Sequence, residues 1–163
     1  MNNAKKNLES KAKDIINFFR AASAGLLDRF PCCVAGGGVV EYIRKGKIKE
    51  KGDIDVFLYD GKKYADTIAQ WLNICGYSVA HRSDHADLFT RNTDFIGNGM
   101  ANKIHIVYTK PAMTKGILKE RGSVEEVLNG FDISSSMIGV EKDRLIVSGR
   151  FLESLGSGVT SVE

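Results

Sequence analysis

Val34-Ala35-Gly36-Gly37-Gly38-Val39-Val40-Glu41-Tyr42 and, beyond a lysine-rich spacer, Gly52-Asp53-Ile54-Asp55-Val56 are the residues on which the fold turns. Cys32 to Ala35, directly behind Pro31, is a short apolar run suited to a buried strand. Gly36 to Gly38 then forces a turn, and residues 39–45 read as a helix of about two turns that Gly46 ends. Asp53 to Leu58 reads as a strand. Its two aspartates lie two residues apart and project from the same face, while Ile54 and Val56 point the other way, into a core. Side-by-side carboxylates repel unless something positive sits between them. A hard divalent cation such as Mg²⁺ does this well, because it takes oxygen ligands and bridges carboxylates to substrate phosphates. The glycines let the backbone approach a phosphate, and the helix N-terminus behind them offers free N–H groups and positive dipole character. Either element alone is generic. Strand, glycine turn, helix, basic loop and Asp-x-Asp strand in that order are specific.

Outward from this stretch, residues 7–29 form one long amphipathic pattern, with Leu8, Ala12, Ile15, Phe19, Ala22 and Leu26 in a single apolar stripe. Asp60-Gly61 is a turn, and residues 62–75 make a second amphipathic helix through Ala65, Ile68, Ala69, Leu72 and Ile74. Residues 77–82, 86–91 and 103–108 read as strands, the last with the clearest alternation. Residues 92–102 carry Asn and Gly with little pattern and read as a mobile loop. Ser123-Val124-Glu125-Glu126 is a capping box opening a helix to Asn129. Residues 133–140 and 144–147 make a hairpin around Glu141-Lys142-Asp143, and a last helix at 150–155 precedes a Gly/Ser-rich tail that frays. Phe18 and Trp71 fit core positions, whereas His81 and His85 fit exposed loops. The expected class is α+β, with residues 1–163 forming a single domain.

Composition agrees with that reading. The chain has 163 residues, 43% hydrophobic and 26% charged, which suits one soluble globular domain. No apolar run approaches the ~20 residues that span a bilayer, and the polar, lysine-bearing start lacks a signal-type stretch. A cytoplasmic protein with no membrane partner is expected. Cys32, Cys33 and Cys75 lack metal-site spacing, and neighbours in a strand point to opposite faces, so reduced, partly buried thiols are expected. The net charge of +3 is compatible with a phosphate-bearing partner. Arg44, Lys45, Lys47, Lys49 and Lys51 crowd the spacer with Glu50 as its only acid. By itself such a run is a solvated loop, but this one adjoins the aspartates.

The glycine turn with Asp53 and Asp55 resembles the signature of the DNA polymerase β-like nucleotidyltransferase superfamily, in the form found in poly(A) polymerases and CCA-adding enzymes. The spacer here is slightly longer, and the extra residues fall in the lysine-rich loop. Lys103-Ile104-His105-Ile106-Val107, Ser123-Val124-Glu125-Glu126, Phe131-Asp132-Ile133-Ser134, Ile138-Gly139-Val140-Glu141 and Arg150-Phe151-Leu152 follow in the order of a branch found in bacteriophages, large DNA viruses and some ankyrin-repeat proteins. The resemblance spans about residues 31–160. It implies a nucleotidyltransferase fold, a mixed central sheet flanked by helices.

It further implies transfer of a nucleoside monophosphate from an NTP to a hydroxyl of RNA, a small molecule or a protein, with Mg²⁺ (or Mn²⁺) as cofactor. Asp53 and Asp55 would hold the metal. Gly36, Gly37 and Gly38 would hold the nucleotide, with Lys51 among the lysines neutralising its phosphates. The superfamily places a third carboxylate on a later strand, where it binds metal and can accept the hydroxyl proton. In residues 103–108 the natural position is His105, which can act as a base but is a poor Mg²⁺ ligand. Asp87 and Asp132 are the other candidates, and Asp132, inside the branch motif, is the preferred third acid. Ser134 replaces that motif's second acid. The alternative is a catalytically degenerate member of the fold that binds nucleotide, nucleic acid or a protein partner.

Overall fold

The β1 strand, Cys32–Ala35, and the β2 strand, Asp53–Leu58, pair antiparallel through Cys32↔Leu58, Val34↔Val56 and Ala35↔Asp55. The computed structural model that shows this describes residues 2–45, 53–59, 62–91, 99–108 and 138–147. The two strands are the middle of a mixed sheet whose other members are β3 (Tyr77–Arg82), β4 (Ala86–Arg91), β5 (Lys103–Tyr108), β6 (Ile138–Val140) and β7 (Leu145–Val147). The order across the sheet is β3-β4-β5-β2-β1-β6-β7. The β2–β5 contact alone is parallel and the other described pairs are antiparallel. The expected strands at 77–82, 86–91 and 103–108 match β3, β4 and β5, and the 144–147 arm pairs with β6 as a hairpin. The expected Asp60-Gly61 turn, the helices at 123–129 and 150–155, and positions 133–137 lie outside the described residues.

Alternation along the strands divides the sheet into two faces. Ile54, Val56 and Leu58 of β2, Ile104 and Ile106 of β5, Phe89 of β4 and Val140 of β6 are buried together with residues from all four described helices. The opposite face carries a smaller cluster, Cys33, Ala35 and Phe57, with Tyr59 and Val107 against it. Cys32 belongs to the first face and Cys33 to the second, so the neighbouring thiols are both buried and point apart.

The helices depart from the expected boundaries for local reasons. The 7–29 pattern divides into α1 (Asn2–Ala22) and α2 (Leu26–Arg29). Ala24 and Gly25 between them adopt left-handed backbone (φ 55° and 80°). The Trp71 indole N–H donates to the Ala24 carbonyl at 2.7 Å and holds this break against the fourth helix. The apolar stripe survives the break: Leu8, Ile15, Phe19, Ala22 and Leu26 are all buried. The expected 39–45 helix begins earlier, as α3 (Gly37–Lys45), and the 62–75 helix is shorter, α4 (Ala65–Ile74). Ala65, Ile68 and Leu72 of α4 are buried, but Ile74 is 77% exposed. At about 100° per residue, position 74 lies about 200° from Leu72 and leaves the stripe. Residues 99–102 are tied down, with Ala101 buried and its N–H donating to the Ala22 carbonyl. Phe18 and Trp71 sit at the edge of the core, half-buried. Among the described residues, no helix is long and apolar enough to cross a membrane.

Candidate active site

Gly36 stands where β1 ends and α3 begins, with φ of 97°, a conformation that L side chains rarely adopt. Its carbonyl accepts from the N–H groups of Val39 and Val40 and so starts the helix. A Cβ on Gly36 would stand 3.1 Å from Oδ2 of Asp55, and one on Gly38 would stand 3.2 Å from the Asp53 carbonyl oxygen. The turn therefore lies directly against the Asp-x-Asp strand, and a methyl group on Gly36 or Gly38 would press its neighbour aside by a few tenths of an ångström. Gly37 faces open space. From the other side α3 is anchored by Val39, fully buried, and by Tyr42, whose ring stacks on Phe18 at 3.9 Å and meets Phe19 edge-on.

Asp53 and Asp55 share the sheet face that carries the smaller apolar cluster, since Ile54 and Val56 enter the main core. Asp53 is exposed and Asp55 half-buried. Burial is the main influence raising the Asp55 carboxyl above its ordinary range; His105 opposes it and the Asp53 charge adds to it. A carboxylate in that position gains from a neighbouring cation.

Parallel pairing of β2 with β5 sets Lys103 beside Asp53 and His105 beside Asp55. The Nδ1 atom of His105 lies 3.3 Å from Asp55 Oδ1. The Asp55 carboxylate thus has one oxygen toward the glycine turn and the other toward an imidazole. Lys103 beside Asp53 had no signal in sequence, because a strand's own pattern does not name its neighbour.

Asp87 is not the third acid. It lies on the helix-covered face, 1% exposed, where Arg82 Nε donates to it at 3.1 Å and the Tyr108 hydroxyl also donates to it. His81 and His85 are both exposed, as expected, but His81 lies on strand β3 opposite Leu88 and not in a loop. Lys51 and Asp132 lie outside the described residues. Among the described residues, no three His, Cys, Asp or Glu side chains already converge as a metal cage. A Mg²⁺-like ion does not need one: one or two carboxylates plus substrate phosphates suffice. Asp53 and Asp55 on one face fit that requirement. A cavity of about 410 Å³ lies elsewhere, lined by Leu27, Arg29, Pro31, Tyr59 and Glu141 among others. Tyr59 is four residues beyond Asp55, about 13 Å along an extended chain, so the cavity sits at the other end of β2.

No protein-family model matches the chain, and comparison with curated proteins also yields no match. Solved structures do match. A CCA-adding enzyme in complex with ATP superposes with a TM-score of 0.58 at 18% identity, over 96% of this chain and 35% of that one. A tRNA nucleotidyltransferase with a primer tRNA and an incoming ATP analogue gives 0.55 at 18%, over 80% and 35%. A tRNA-processing enzyme with CTP gives 0.54 at 17%, over 87% and 35%. The chain spans about a third of the length of these proteins. Identities this low speak for architecture, and with the mixed sheet and the helices on one face they lead to one statement: this chain is an α+β protein with the nucleotidyltransferase fold.

Proposed function

We propose that the chain is a metal-dependent nucleotidyltransferase, moving a nucleoside monophosphate from an NTP to a hydroxyl of RNA, a small molecule or a protein. The observation that carries this reading is the close approach of Gly36 to Asp55, so tight that a methyl carbon on the glycine would stand 3.1 Å from the carboxylate. It sets a helix N-terminus able to hold phosphate oxygens beside a carboxylate able to hold a cation. The structural neighbours bound to ATP, an ATP analogue or CTP support a nucleotide as the ligand.

In this reading Asp53 and Asp55 hold Mg²⁺ or Mn²⁺. When bound, such an ion offsets charge on the transferring phosphoryl group and makes the incoming hydroxyl a better nucleophile. The backbone N–H groups at the start of α3 orient the triphosphate, and Lys51 neutralises part of its charge. The acceptor oxygen bonds to the α-phosphorus as the bond to pyrophosphate breaks, and pyrophosphate leaves. His105 or Asp132 accepts the hydroxyl proton. The protein works in the cytoplasm, as one domain, on an acceptor delivered to the face carrying Asp53 and Asp55.

One observation favours a second reading, a fold member that binds nucleotide without turnover: an imidazole stands opposite Asp55 where a third carboxylate is expected. Thermal unfolding with NTP and Mg²⁺ or Mn²⁺ tests the site common to both. The expected result is a ligand-dependent rise that the double change Asp53→Asn/Asp55→Asn abolishes. An undiminished rise in the double mutant sinks the site. Incubation with labelled NTPs and mixed RNA or lysate then separates enzyme from binder by transfer of label.

A further inference from the structure

We propose, resting on the nucleotidyltransferase reading above, that Lys103 binds a phosphate of the acceptor beside its reacting hydroxyl and so selects for phosphate-bearing acceptors. The sheet order puts β2 between β1 and β5, which gives the site two flanks. On the β1 flank the glycine turn approaches Asp55 Oδ2; on the β5 flank His105 Nδ1 lies 3.3 Å from Asp55 Oδ1. In phosphoryl transfer the attacking and leaving oxygens lie roughly in line across the phosphorus. A triphosphate held at the glycine turn therefore sends its pyrophosphate out on the β1 flank and receives the acceptor hydroxyl from the β5 flank. The acceptor then meets whatever β5 and the strands beyond it display.

Register fixes that display. Lys103 is level with Asp53 on β2 and with Thr90 on β4, and Thr90 is level with Ser78 on β3. Asp87 and Phe89 of β4 are buried on the helix-covered face, so Thr90, alternating with them, shares the face of Lys103 and Asp53. Asp53, Lys103, Thr90 and Ser78 thus form one row of about 14 Å, three strand spacings of about 4.8 Å, ending at the β3 edge. Beyond Asp53 the row offers an ammonium and two hydroxyls, all able to donate to phosphate oxygens. Asp87 is the only acid in β3, β4 and β5, and it faces the other way. Lys103 is exposed, and among the described residues no carboxylate pairs with it, not even Asp53 at its own level. Opposite charges so placed are natural cross-strand partners, and here the ammonium is left for a ligand. Lys103 and His105 are two residues apart, about 6.6 Å along the strand. A phosphate on the first and a hydroxyl at the second belong to one small group of atoms, such as a sugar carrying both.

Fluorescence anisotropy of the whole chain with a 5′-labelled hexaadenylate bearing a free 3′-hydroxyl tests this across a salt series, with ribose 5-phosphate and ribose as competitors. Lys103→Ala should lower the slope of log affinity against log salt by about 0.7, which at ~0.1 M salt is about fivefold weaker binding. Lys103→Arg should keep the wild-type slope, and circular dichroism should confirm the fold of both variants. Displacement of the hexamer by ribose 5-phosphate but not by ribose supports the proposal with a small phosphorylated sugar as the source of the phosphate. Lys103-dependent binding that ribose 5-phosphate does not displace supports it with a strand end as the source. An unchanged slope in folded Lys103→Ala, equal displacement by ribose, or no Lys103-dependent binding of the hexamer overturns it. Stabilisation by NTP and Mg²⁺ separates this proposal from the reading beneath it: Lys103→Ala should retain that rise. If the rise survives Asp53→Asn/Asp55→Asn, the metal site is wrong whatever Lys103 does.

Discussion

Replacing Gly36 and Gly37 by alanine, one at a time, gives opposite expectations from neighbouring residues. At Gly36 the backbone is at φ 97° and the added methyl would stand 3.1 Å from Asp55 Oδ2. Forcing a non-glycine residue into that region costs about 1–2 kcal/mol, and relieving the contact requires the carboxylate to move. Together these suggest a loss of about 2–3 kcal/mol. For a chain of this size 1 kcal/mol corresponds to a Tm change of roughly 2–4 °C, so Gly36→Ala should lower Tm by about 4–12 °C. At Gly37 the same methyl meets nothing within 4 Å, and φ is not positive. Alanine is the better helix former there and restricts the unfolded chain, so Gly37→Ala should lie within about 0.5 kcal/mol of wild type or be slightly more stable. Calorimetry or circular-dichroism melting of both variants decides the matter. Because the shift at Gly36 is transmitted to Asp55, that variant should also lose most of the stabilisation by metal and NTP. Equal melting temperatures for the two variants would refute the claim that the turn is wedged against the acid.

Removing the Asp87 carboxylate orphans the Tyr108 hydroxyl, so Asp87→Ala should destabilise by about 1–3 kcal/mol and Tyr108→Phe by about 1 kcal/mol. Both act on the helix-covered face, so stabilisation of the folded variants by metal and NTP should persist; its loss would show that Asp87 belongs to the site after all. In the native state a water-soluble disulfide reagent near neutral pH should label Cys75 and leave Cys32 and Cys33 untouched until unfolding. Labelling of all three at one rate would contradict the burial. Burial also pushes the Cys33 thiol, against the lowering effect of Tyr59, up to about 12 from 9.0, and the Tyr77 hydroxyl to about 12 from 10.0. The folded state then holds protons that the unfolded state releases, so these groups withdraw stability as pH rises from about 9 toward 12. A denaturation midpoint that stays flat over that window would count against it.

What the sequence by itself determined is the set of features that depend on near neighbours. The period-2 pattern of residues 53–58 separates Asp53 and Asp55 from Ile54 and Val56, and the structure keeps that division. Gly36 is intelligible because the turn from strand to helix puts it at φ 97°, a conformation that strongly favours glycine. Opposite facing of Cys32 and Cys33 follows from strand geometry alone. Local pattern did worse at helix ends: it missed the break at Ala24 and Gly25, which Trp71 helps to hold from a distant helix. It also put Ile74 on an apolar face that its angle denies.

Only the tertiary structure decided which strands are neighbours and in what register. The alternation of residues 103–108 shows that His105 and Ile106 face opposite ways, but not that β5 lies parallel to β2 with His105 level with Asp55. Asp87 shows the same limit, since its strand could have presented it to either face until pairing with β5 set it level with Ile106 in the core. The physical reason is that register comes from packing between segments distant in the chain, and a shift of one residue exchanges the faces of every side chain on a strand. The glycine turn and the two aspartates were thus legible as a phosphate and metal motif. That an imidazole completes their surroundings emerged from the parallel pairing of β2 with β5.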